Sequence, residues 1–259
     1  MVMDGAGTIL RMYRVAKDIE KGIIMEGVIT WELIMKKKGR ALVVPQMDPE
    51  IISSFSADDR LGRVIVGREE MLAISCSSST IFREAALDIV LRSQARVGDL
   101  MEVHERVKSR CPGDYHTAGM IIDIDRHDVV YTISTGGAPF PGIKEVVSDL
   151  SMMGADVFVA SGDSMRSLYR LQDLGIPLSQ IYPVSSPIKK KEIVEDLKSR
   201  YRRVIMVGDG LNDIFALRTA DLGVLTVQQD TRPAKELLSA ADEIILDIRE
   251  LPGVVRRNS

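Results

Sequence analysis

A cluster of carboxylate and amide residues follows a short apolar run late in the chain. Val204–Val207 is followed by Gly208-Asp209-Gly210-Leu211-Asn212-Asp213. The apolar run predicts a strand, and the glycine-rich segment predicts a turn into a helix. Asp209, Asn212 and Asp213 would then lie together where the strand passes into the helix. Oxygen ligands of this kind suit Mg²⁺, which takes one or two carboxylates and keeps several waters. An Asp-Gly turn with a helix cap is the alternative explanation.

A second carboxylate follows an apolar run at the start of the chain. Met1-Val2-Met3 leads into Asp4-Gly5-Ala6-Gly7-Thr8. An Asp at a strand end, followed by two glycines, suits a place where the backbone approaches a ligand closely. An Asx-type turn accounts for the same residues equally well.

Two later segments carry groups that suit an anion. Ser161-Gly162-Asp163 follows a predicted strand, and a hydroxyl with free backbone N–H groups at a helix N-terminus forms an anion site. Simple helix capping explains it equally well. Pro187-Ile188-Lys189-Lys190 opens a predicted helix, where a lysine could neutralise a phosphate. Lysine runs are also common on solvated surfaces.

The elements that must position these groups alternate regularly from Pro141 onward. Helices are expected after the polar turns, ending near Leu174 and Ala220. Strand, turn and helix in alternation predict an α/β fold with a parallel sheet covered on both faces, and ligands bind beyond the carboxyl ends of such strands. The predicted strands are Val157–Ala160, Val204–Val207, Leu222–Val227 and Glu243–Leu246.

The middle of the chain is less regular and predicts a separate α/β domain. We expect residues 1–20 and 135–259 to form a Rossmann-like core and residues 21–134 to form an inserted cap. Asp123 and Asp125 alternate with isoleucines and are expected to face solvent. The predicted cap elements are helices Ser79–Ser93 and Gly98–Cys111, a hairpin of Met120–Asp125 with Val129–Ser134, and strands Ala41–Val44 and Val64–Gly67.

Composition excludes several classes of protein. The chain has 259 residues, 45% of them hydrophobic, and a net charge of -3, which predicts a globular protein and gives no electrostatic reason to expect a nucleic-acid partner. The longest stretches without charged residues contain Gly, Pro and Ser, whereas a spanning helix needs about 20 mostly apolar residues, so no membrane partner is expected. Two cysteines cannot form a disulfide framework, which favours a cytoplasmic location.

Taken in their order along the chain, the four segments resemble the motifs of the haloacid dehalogenase superfamily, and most closely the phosphorylation domain of P-type ATPases. That family reads Asp-x-Thr-Gly-Thr, Thr-Gly-Asp, Pro-x-x-Lys and Gly-Asp-Gly-x-Asn-Asp. The similarity continues through Ala220-Asp221-Leu222-Gly223-Val224 and covers about residues 1–10 and 141–251. The inserted region shows no comparable match.

The resemblance implies a Mg²⁺-dependent phosphohydrolase or phosphotransferase that acts on a small phosphorylated substrate. Asp4 would be the nucleophile that forms an aspartyl phosphate. Mg²⁺ would lie between Asp4, the carbonyl of Ala6 and Asp209, with Asp213 in or next to its coordination shell. The implied contacts to the phosphoryl group are Ser161, the N–H of Gly162, Asn212 and Lys190, with Lys189 as the alternative lysine.

The chain departs from most phosphatases of the superfamily at Ala6. A second Asp, which protonates the leaving group, usually stands there, and its loss favours phosphoanhydrides, acyl phosphates and aryl phosphates over alkyl monoesters. Phosphonoacetaldehyde hydrolases also have Ala at that position and form a Schiff base with a cap lysine, for which Lys17, Lys21 or Lys36–Lys38 would supply the amine. A non-catalytic phosphate- or nucleotide-binding module is the third interpretation.

The start of the chain is a second departure. Only three residues precede Asp4, whereas a strand averages about five or six residues. We therefore expect either a truncated first strand or a natural start upstream of Met1.

Overall fold

The computed structural model describes residues 1–47, 49–111, 115–163, 165–229 and 232–258. The chain divides into a core unit, Met1–Met12 with Ala138–Ser259, and an inserted unit, Tyr13–Gly137. Both divisions fall inside a strand, Leu10–Asp18 and Asp128–Pro139. They therefore lie some residues away from the boundaries expected from sequence at 20/21 and 134/135.

The strands and helices are named in chain order. The strands are β1 (Val2–Met3), β2 (Leu10–Asp18), β3 (Ile23–Glu26), β4 (Arg40–Pro45), β5 (Leu72–Ser77), β6 (Tyr115–Asp123), β7 (Asp128–Pro139), β8 (Phe158–Ala160), β9 (Ile181–Tyr182), β10 (Ile205–Gly208), β11 (Leu222–Thr226) and β12 (Glu243–Ile245). The helices are α1 (Thr30–Met35), α2 (Pro49–Ser53), α3 (Leu61–Ile65), α4 (Arg83–Arg92), α5 (Val97–Arg110), α6 (Ile143–Met152), α7 (Met165–Leu168), α8 (Pro187–Arg200), α9 (Ile214–Thr219), α10 (Lys235–Leu238) and α11 (Leu251–Arg257). Short 3₁₀ turns extend several of these helices, including Tyr169–Leu174 after α7 and Leu211–Asp213 before α9.

The core unit is built on a parallel sheet in the order β12-β11-β10-β1-β8-β9. Met3 at the end of β1 pairs with Val207 of β10 on one side and with Val159 of β8 on the other. β1, β8, β10 and β11 are buried along their whole length, as strands covered on both faces are. The α/β fold with a parallel sheet, predicted from sequence, is confirmed.

Helix α8 shows how local sequence signals place a site residue. The Ser186 hydroxyl accepts a hydrogen bond from the Lys189 N–H, and Pro187 occupies the first turn, so the helix begins with a side-chain cap and a residue that needs no N–H partner. The buried residues of α8 recur at helical spacing: Lys190, Ile193, Val194 and Leu197. One face of α8 therefore turns inward, and Lys190 lies on it.

The inserted unit has an antiparallel sheet in the order β3-β2-β7-β6-β4-β5. Its largest hydrophobic cluster joins alternate residues of β4 and β6 to the buried faces of α4 and α5, including Val43, Met120, Ile89 and Val103. The predicted hairpin is present as β6 and β7. β6 begins five residues earlier and ends two residues earlier than expected, and β7 begins one residue earlier and ends five residues later. This unit is thus a sheet with helices packed on it.

Several predictions for the inserted unit are wrong in detail. Val64 and Ile65 belong to helix α3, because the buried residues Leu61, Val64 and Ile65 follow helical spacing and α3 packs against α4. Residues 79–82 precede α4 and are not part of it. β2 and β3 were not predicted, since neither segment carries a clear run of alternating apolar residues.

Asp123 contradicts the expectation that it faces solvent. Its side chain is fully buried and accepts hydrogen bonds from the ammonium of Lys37 at 2.9 Å and the guanidinium of Arg40 at 3.4 Å. Burial works against the charged carboxylate, but these bonds outweigh it and hold the pKa of Asp123 below its usual range. Asp125, by contrast, is exposed.

Across the described residues, none of the helices combines the length and apolar character that crossing a lipid bilayer requires.

Candidate active site

Asp4 stands at the carboxyl end of the central strand of the core sheet. Its backbone N–H continues the pairing beyond β1 by donating to the carbonyl of Val207 at 2.9 Å, and its side chain is buried. The neighbouring strand β10 ends at Gly208, so Asp209 comes off the adjacent position on the same edge. The parallel register thus brings two carboxylates from distant parts of the sequence together.

Lys190 bridges two of the carboxylates. Its ammonium lies 2.6 Å from Oδ1 of Asp4 and 2.7 Å from Oδ1 of Asp213, and none of the three side chains has appreciable solvent exposure. Lys189, the alternative lysine, is exposed and pairs with Glu192 on the helix surface at 3.2 Å. It is therefore Lys190 that the structure brings to Asp4.

Asp213 uses both of its carboxylate oxygens. Oδ1 accepts from Lys190, and Oδ2 accepts from the backbone N–H groups of Asp209 at 3.2 Å and Gly210 at 3.1 Å. Asp213 thereby fixes the turn that carries Asp209. Carboxylate oxygens of Asp4, Asp209 and Asp213 all lie within 4.8 Å of one another.

Two glycines allow the backbone to come this close to the carboxylates. Gly7 has φ of 83°, and a Cβ built on it would overlap the Asp209 carboxylate. A Cβ on Gly208 would stand 2.6 Å from the carboxylate of Asp213. Each position therefore requires a residue without a side chain, and Gly7 also requires the left-handed backbone that glycine adopts freely.

The electrostatics of the cluster fit a divalent cation. Burial raises the pKa of Asp4 to about 7; the Lys190 ammonium opposes this rise and the nearby Asp213 carboxylate adds to it. Burial works to lower the pKa of Lys190, but the two carboxylates outweigh it, so that its pKa is raised and it stays charged. Three carboxylates facing one ammonium leave negative charge in a buried place, which a divalent cation would balance.

Ser161 lies against the residue that follows Asp4. A Cβ on Gly5 would come within 2.8 Å of its hydroxyl oxygen, so this hydroxyl reaches the first loop of the site. The Ser161 hydroxyl donates to Oδ2 of Asp163 at 2.9 Å and accepts from the Asp163 N–H at 3.2 Å. Sequence reasoning assigned no role to Asp163, although an Asp two residues after a Ser is typical of such a local turn.

The other predicted site residues are placed less tightly. Ala6 lies partly exposed in the turn after Asp4, and Gly162 is exposed between Ser161 and Asp163. Asn212 is exposed in the 3₁₀ turn after Gly210 and makes no contact with the ion-pair cluster within the described part of the chain. The structure thus brings together Asp4, Asp209, Asp213, Lys190 and Ser161.

Comparison with known proteins gives matches over both units. The model of the haloacid dehalogenase-like hydrolase family matches residues 107–221. A soluble P-type ATPase-like phosphatase of Methanocaldococcus jannaschii is 30% identical over 259 residues, covering 99% of this chain and 93% of that protein. The potassium-transporting ATPase ATP-binding subunit of Halobacterium salinarum is 30% identical over 172 residues, covering 66% of this chain and 23% of that subunit.

Among solved structures, the catalytic domain of the CPx-ATPase CopB matches with a TM-score of 0.46 and 26% identity over 53% of each chain. The chain spans under a quarter of the Halobacterium subunit, so the transport activity of that protein is not carried over. The Methanocaldococcus phosphatase, by contrast, is similar almost from end to end. With the buried Asp–Lys–Asp cluster at the sheet edge, this similarity shows that the chain belongs to the haloacid dehalogenase-like hydrolases and is a phosphatase-like enzyme whose core resembles that of P-type ATPases.

Proposed function

We propose that the chain is a Mg²⁺-dependent phosphohydrolase that works through an aspartyl phosphate on Asp4. The observation that carries this proposal is the state of the Asp4 carboxylate. Lys190 holds Oδ1, whereas no donor among the described residues approaches Oδ2. One oxygen is therefore fixed in place and the other is available to attack a phosphorus atom.

The reaction has two steps on the same oxygen. Oδ2 of Asp4 attacks phosphorus, the bond to the leaving group breaks, and the leaving group departs with the bonding electrons. Water then attacks the phosphorus of the acyl phosphate, the bond to Oδ2 breaks, the carboxylate is restored, and orthophosphate leaves as a proton passes to solvent. Division into two displacements makes each barrier lower than that of a direct transfer.

Lys190 and Ser161 are the groups of this chain proposed to receive the phosphoryl oxygens. An ammonium has three N–H donors, and two of those of Lys190 bind Asp4 and Asp213, which leaves one for a phosphoryl oxygen. The Gly162 N–H lies on the neighbouring loop, beside the Ser161 hydroxyl, whose one O–H would turn from Asp163 to a phosphoryl oxygen. Asn212 lies on the third loop. Such fixed donors stabilise the charge that develops during transfer.

The metal would be held by Asp4 and Asp209, with the Ala6 carbonyl as a further oxygen ligand. Asp213 has both oxygens engaged by protein donors, so we place it next to the coordination shell and not in it. When bound, Mg²⁺ would supply a Lewis acid for the phosphoryl oxygens and favour the ionised form of Asp4.

Ala6 sets the class of substrate. No side chain at this position can protonate a leaving group, and such general acid catalysis is typically worth about 10²–10⁴-fold. We therefore propose small phosphorylated substrates whose leaving group needs no proton, namely phosphoanhydrides, acyl phosphates or aryl phosphates. The expected cytoplasmic location belongs to the same proposal.

Cleavage of a carbon–phosphorus bond is less well supported. It needs an uncharged lysine amine to form a Schiff base. Lys17 bonds to Asp99 and Glu102, which raise its pKa, and Lys37 bonds to Asp123, which raises its pKa. Two of the amines considered from sequence are therefore held in the charged, unreactive form.

The test is release of orthophosphate from p-nitrophenyl phosphate, acetyl phosphate, ATP, glycerol phosphate and phosphonoacetaldehyde, with MgCl₂ or with EDTA. We expect Mg²⁺-dependent turnover of the first three, and none by an Asp4→Asn variant. A radiolabelled phosphoryl group trapped on the wild type by acid quenching, and absent from the variant, would locate the intermediate. Turnover that survives Asp4→Asn would contradict the mechanism, and the absence of turnover on every compound would favour a binding module.

A substitution at Ala6 tests the account of substrate class separately. Ala6→Asp restores a carboxyl where the leaving group departs, so we expect turnover of glycerol phosphate to rise by about 10²-fold or more relative to p-nitrophenyl phosphate. Ala6→Asn, equal in size but unable to give up a proton, is the matched control. An equal change in both variants would refute the role of position 6.

A further inference from the structure

Val184 has a backbone conformation that valine rarely adopts. Its φ is 50°, in the left-handed region, where a β-branched residue is a steric outlier. The other non-glycine residue at positive φ in the described part of the chain is His127, in a hairpin turn. The Val184 side chain is 56% exposed, so burial of its methyl groups does not hold it there.

Backbone hydrogen bonds to the Ser161 loop hold this turn instead. The N–H of Val184 donates to the carbonyl of Asp163 at 2.9 Å, and the N–H of Ser185 donates to the carbonyl of Ser161 at 2.8 Å. In the other direction, the N–H of Ser161 donates to the carbonyl of Tyr182 at 3.1 Å, and the Ser185 hydroxyl donates to the same carbonyl at 3.0 Å. The turn and the loop are therefore joined at both ends.

The same turn leads directly into the helix that carries Lys190. Ser186 caps α8, and the Lys190 N–H donates to the carbonyl of Ser186 in the first helical turn. Ser186 alone thus stands between Ser185, which bonds to the Ser161 loop, and Pro187, where the lysine helix starts. With φ near -65° at residue 184, the N–H of Ser185 would no longer point to the Ser161 loop together with the N–H of Val184.

We propose that the left-handed turn at Val184 is a positioning device that keeps Ser161 and Lys190 in register on the two sides of Asp4. Val184 is a positioning residue, because it acts through the backbone of its neighbours and touches no reacting atom. Strained conformations persist where surrounding structure enforces them, and they cluster at functional sites. The inference rests on the proposed function, since it assumes that Ser161 and Lys190 bind one phosphoryl group.

Three variants separate the conformation from the side chain. Val184→Asn and Val184→Gly accept positive φ, so both keep the turn without the strain of a branched side chain. We expect both to bind orthophosphate within about twofold of the wild type, and Val184→Asn to raise Tm by about 2–4 °C. Val184→Pro fixes φ near -65° and removes the N–H that donates to the carbonyl of Asp163.

The measurement is calorimetric titration with orthophosphate in MgCl₂, beside titration with MgCl₂ alone. For Val184→Pro we expect orthophosphate affinity to fall by about 10–100-fold while Mg²⁺ affinity stays within twofold, because Asp4 and Asp209 lie on other strand ends. A merely structural role would move both affinities or neither. Unchanged orthophosphate binding by Val184→Pro, or a lower Tm for Val184→Asn, would overturn the inference.

Hydrogen exchange of the wild type decides the matter if Val184→Pro does not fold. We expect orthophosphate with MgCl₂ to slow amide exchange at residues 161–163 and 184–185 together; protection of 161–163 alone would overturn the coupling. Failure of the proposed function has a different signature, because the wild type itself would then bind no orthophosphate. If the wild type binds orthophosphate and no variant changes its affinity, the positioning role of Val184 is rejected and the proposed function is unaffected.

Discussion

Replacement of Lys190 by Met tests whether this ammonium holds the carboxylate cluster together. Methionine is a flexible, unbranched side chain one heavy atom shorter than lysine, and the change removes the charge. The change leaves Asp4 and Asp213 buried, with the donors at 2.6 and 2.7 Å lost. Removal of one partner of a buried ion pair typically costs about 3–5 kcal/mol. In a protein of this size that corresponds to a fall in Tm of about 6–20 °C.

Lys191→Met is the matched control on the same helix. Lys191 is exposed and pairs with Glu195 one turn later at 3.2 Å. Such surface pairs within a helix contribute about 0.3–0.5 kcal/mol, so we expect a fall in Tm of about 2 °C or less. Both variants replace a lysine of α8 by methionine and lose one positive charge. The difference between their Tm values therefore measures the effect of burying the ion pair.

The assay is thermal unfolding with EDTA and with increasing MgCl₂, followed by hydrolysis of p-nitrophenyl phosphate. Because the Lys190 variant leaves more negative charge facing the cation, MgCl₂ should restore part of its lost Tm. Its turnover at saturating Mg²⁺ should be about 10²–10³-fold below wild type, as for the loss of a donor to the transition state. Equal Tm values for the two variants would refute the assignment of Lys190 to the cluster.

Two further predictions concern other parts of the chain. Gly7→Ala places a methyl group against the Asp209 carboxylate, so MgCl₂ titration should show an affinity about 10–100-fold lower. Gly154→Ala, at a φ of 79° with open space around it, is the control, and equal Mg²⁺ affinities would refute the steric argument. Burial and the nearby His116 hold the pKa of His104 below its usual value, so the unfolded chain binds a proton that the folded chain does not as pH falls through about 6.5. The urea concentration at the unfolding midpoint should therefore be lower at pH 5.5 than at pH 8 in the wild type, and this difference should be smaller in His104→Gln. An equal difference in both proteins would assign the titration to another group.

The core strands and the lysine of the site could be predicted because their signals are local. Strands of a parallel sheet covered on both faces appear as continuous apolar runs, and Val204–Val207 is one. Lys190 shares the helical spacing of Ile193 and Val194, which assigns it to the inward face of α8. Lys189 and Lys191 lie off that face and are exposed.

The features that sequence missed depend on distant partners. Asp123 looks like a solvent-facing residue of an alternating strand, yet its partners Lys37 and Arg40 come from segments more than eighty residues earlier. Short apolar runs such as Val64–Gly67 do not distinguish a strand from a buried helix, and packing against α4 decides the outcome. The turn at Val184 is enforced by the loop at 161–163, which no local propensity of Pro-Val-Ser reveals.

The glycines of the two carboxylate motifs have a common physical explanation. Gly7 and Gly208 each stand where a Cβ would run into a carboxylate, of Asp209 and Asp213 respectively. The first motif supplies the Asp4 carboxylate, and its Gly7 leaves room for the carboxylate of Asp209 from the other motif. The second motif supplies Asp209 and Asp213, and its Gly208 leaves room for its own Asp213. Lys190 and two backbone N–H groups offset part of the repulsion between the negative charges of the cluster. A scaffold that holds carboxylates this near to one another is poised for a cation, and the glycines are as necessary to that arrangement as the ligands themselves.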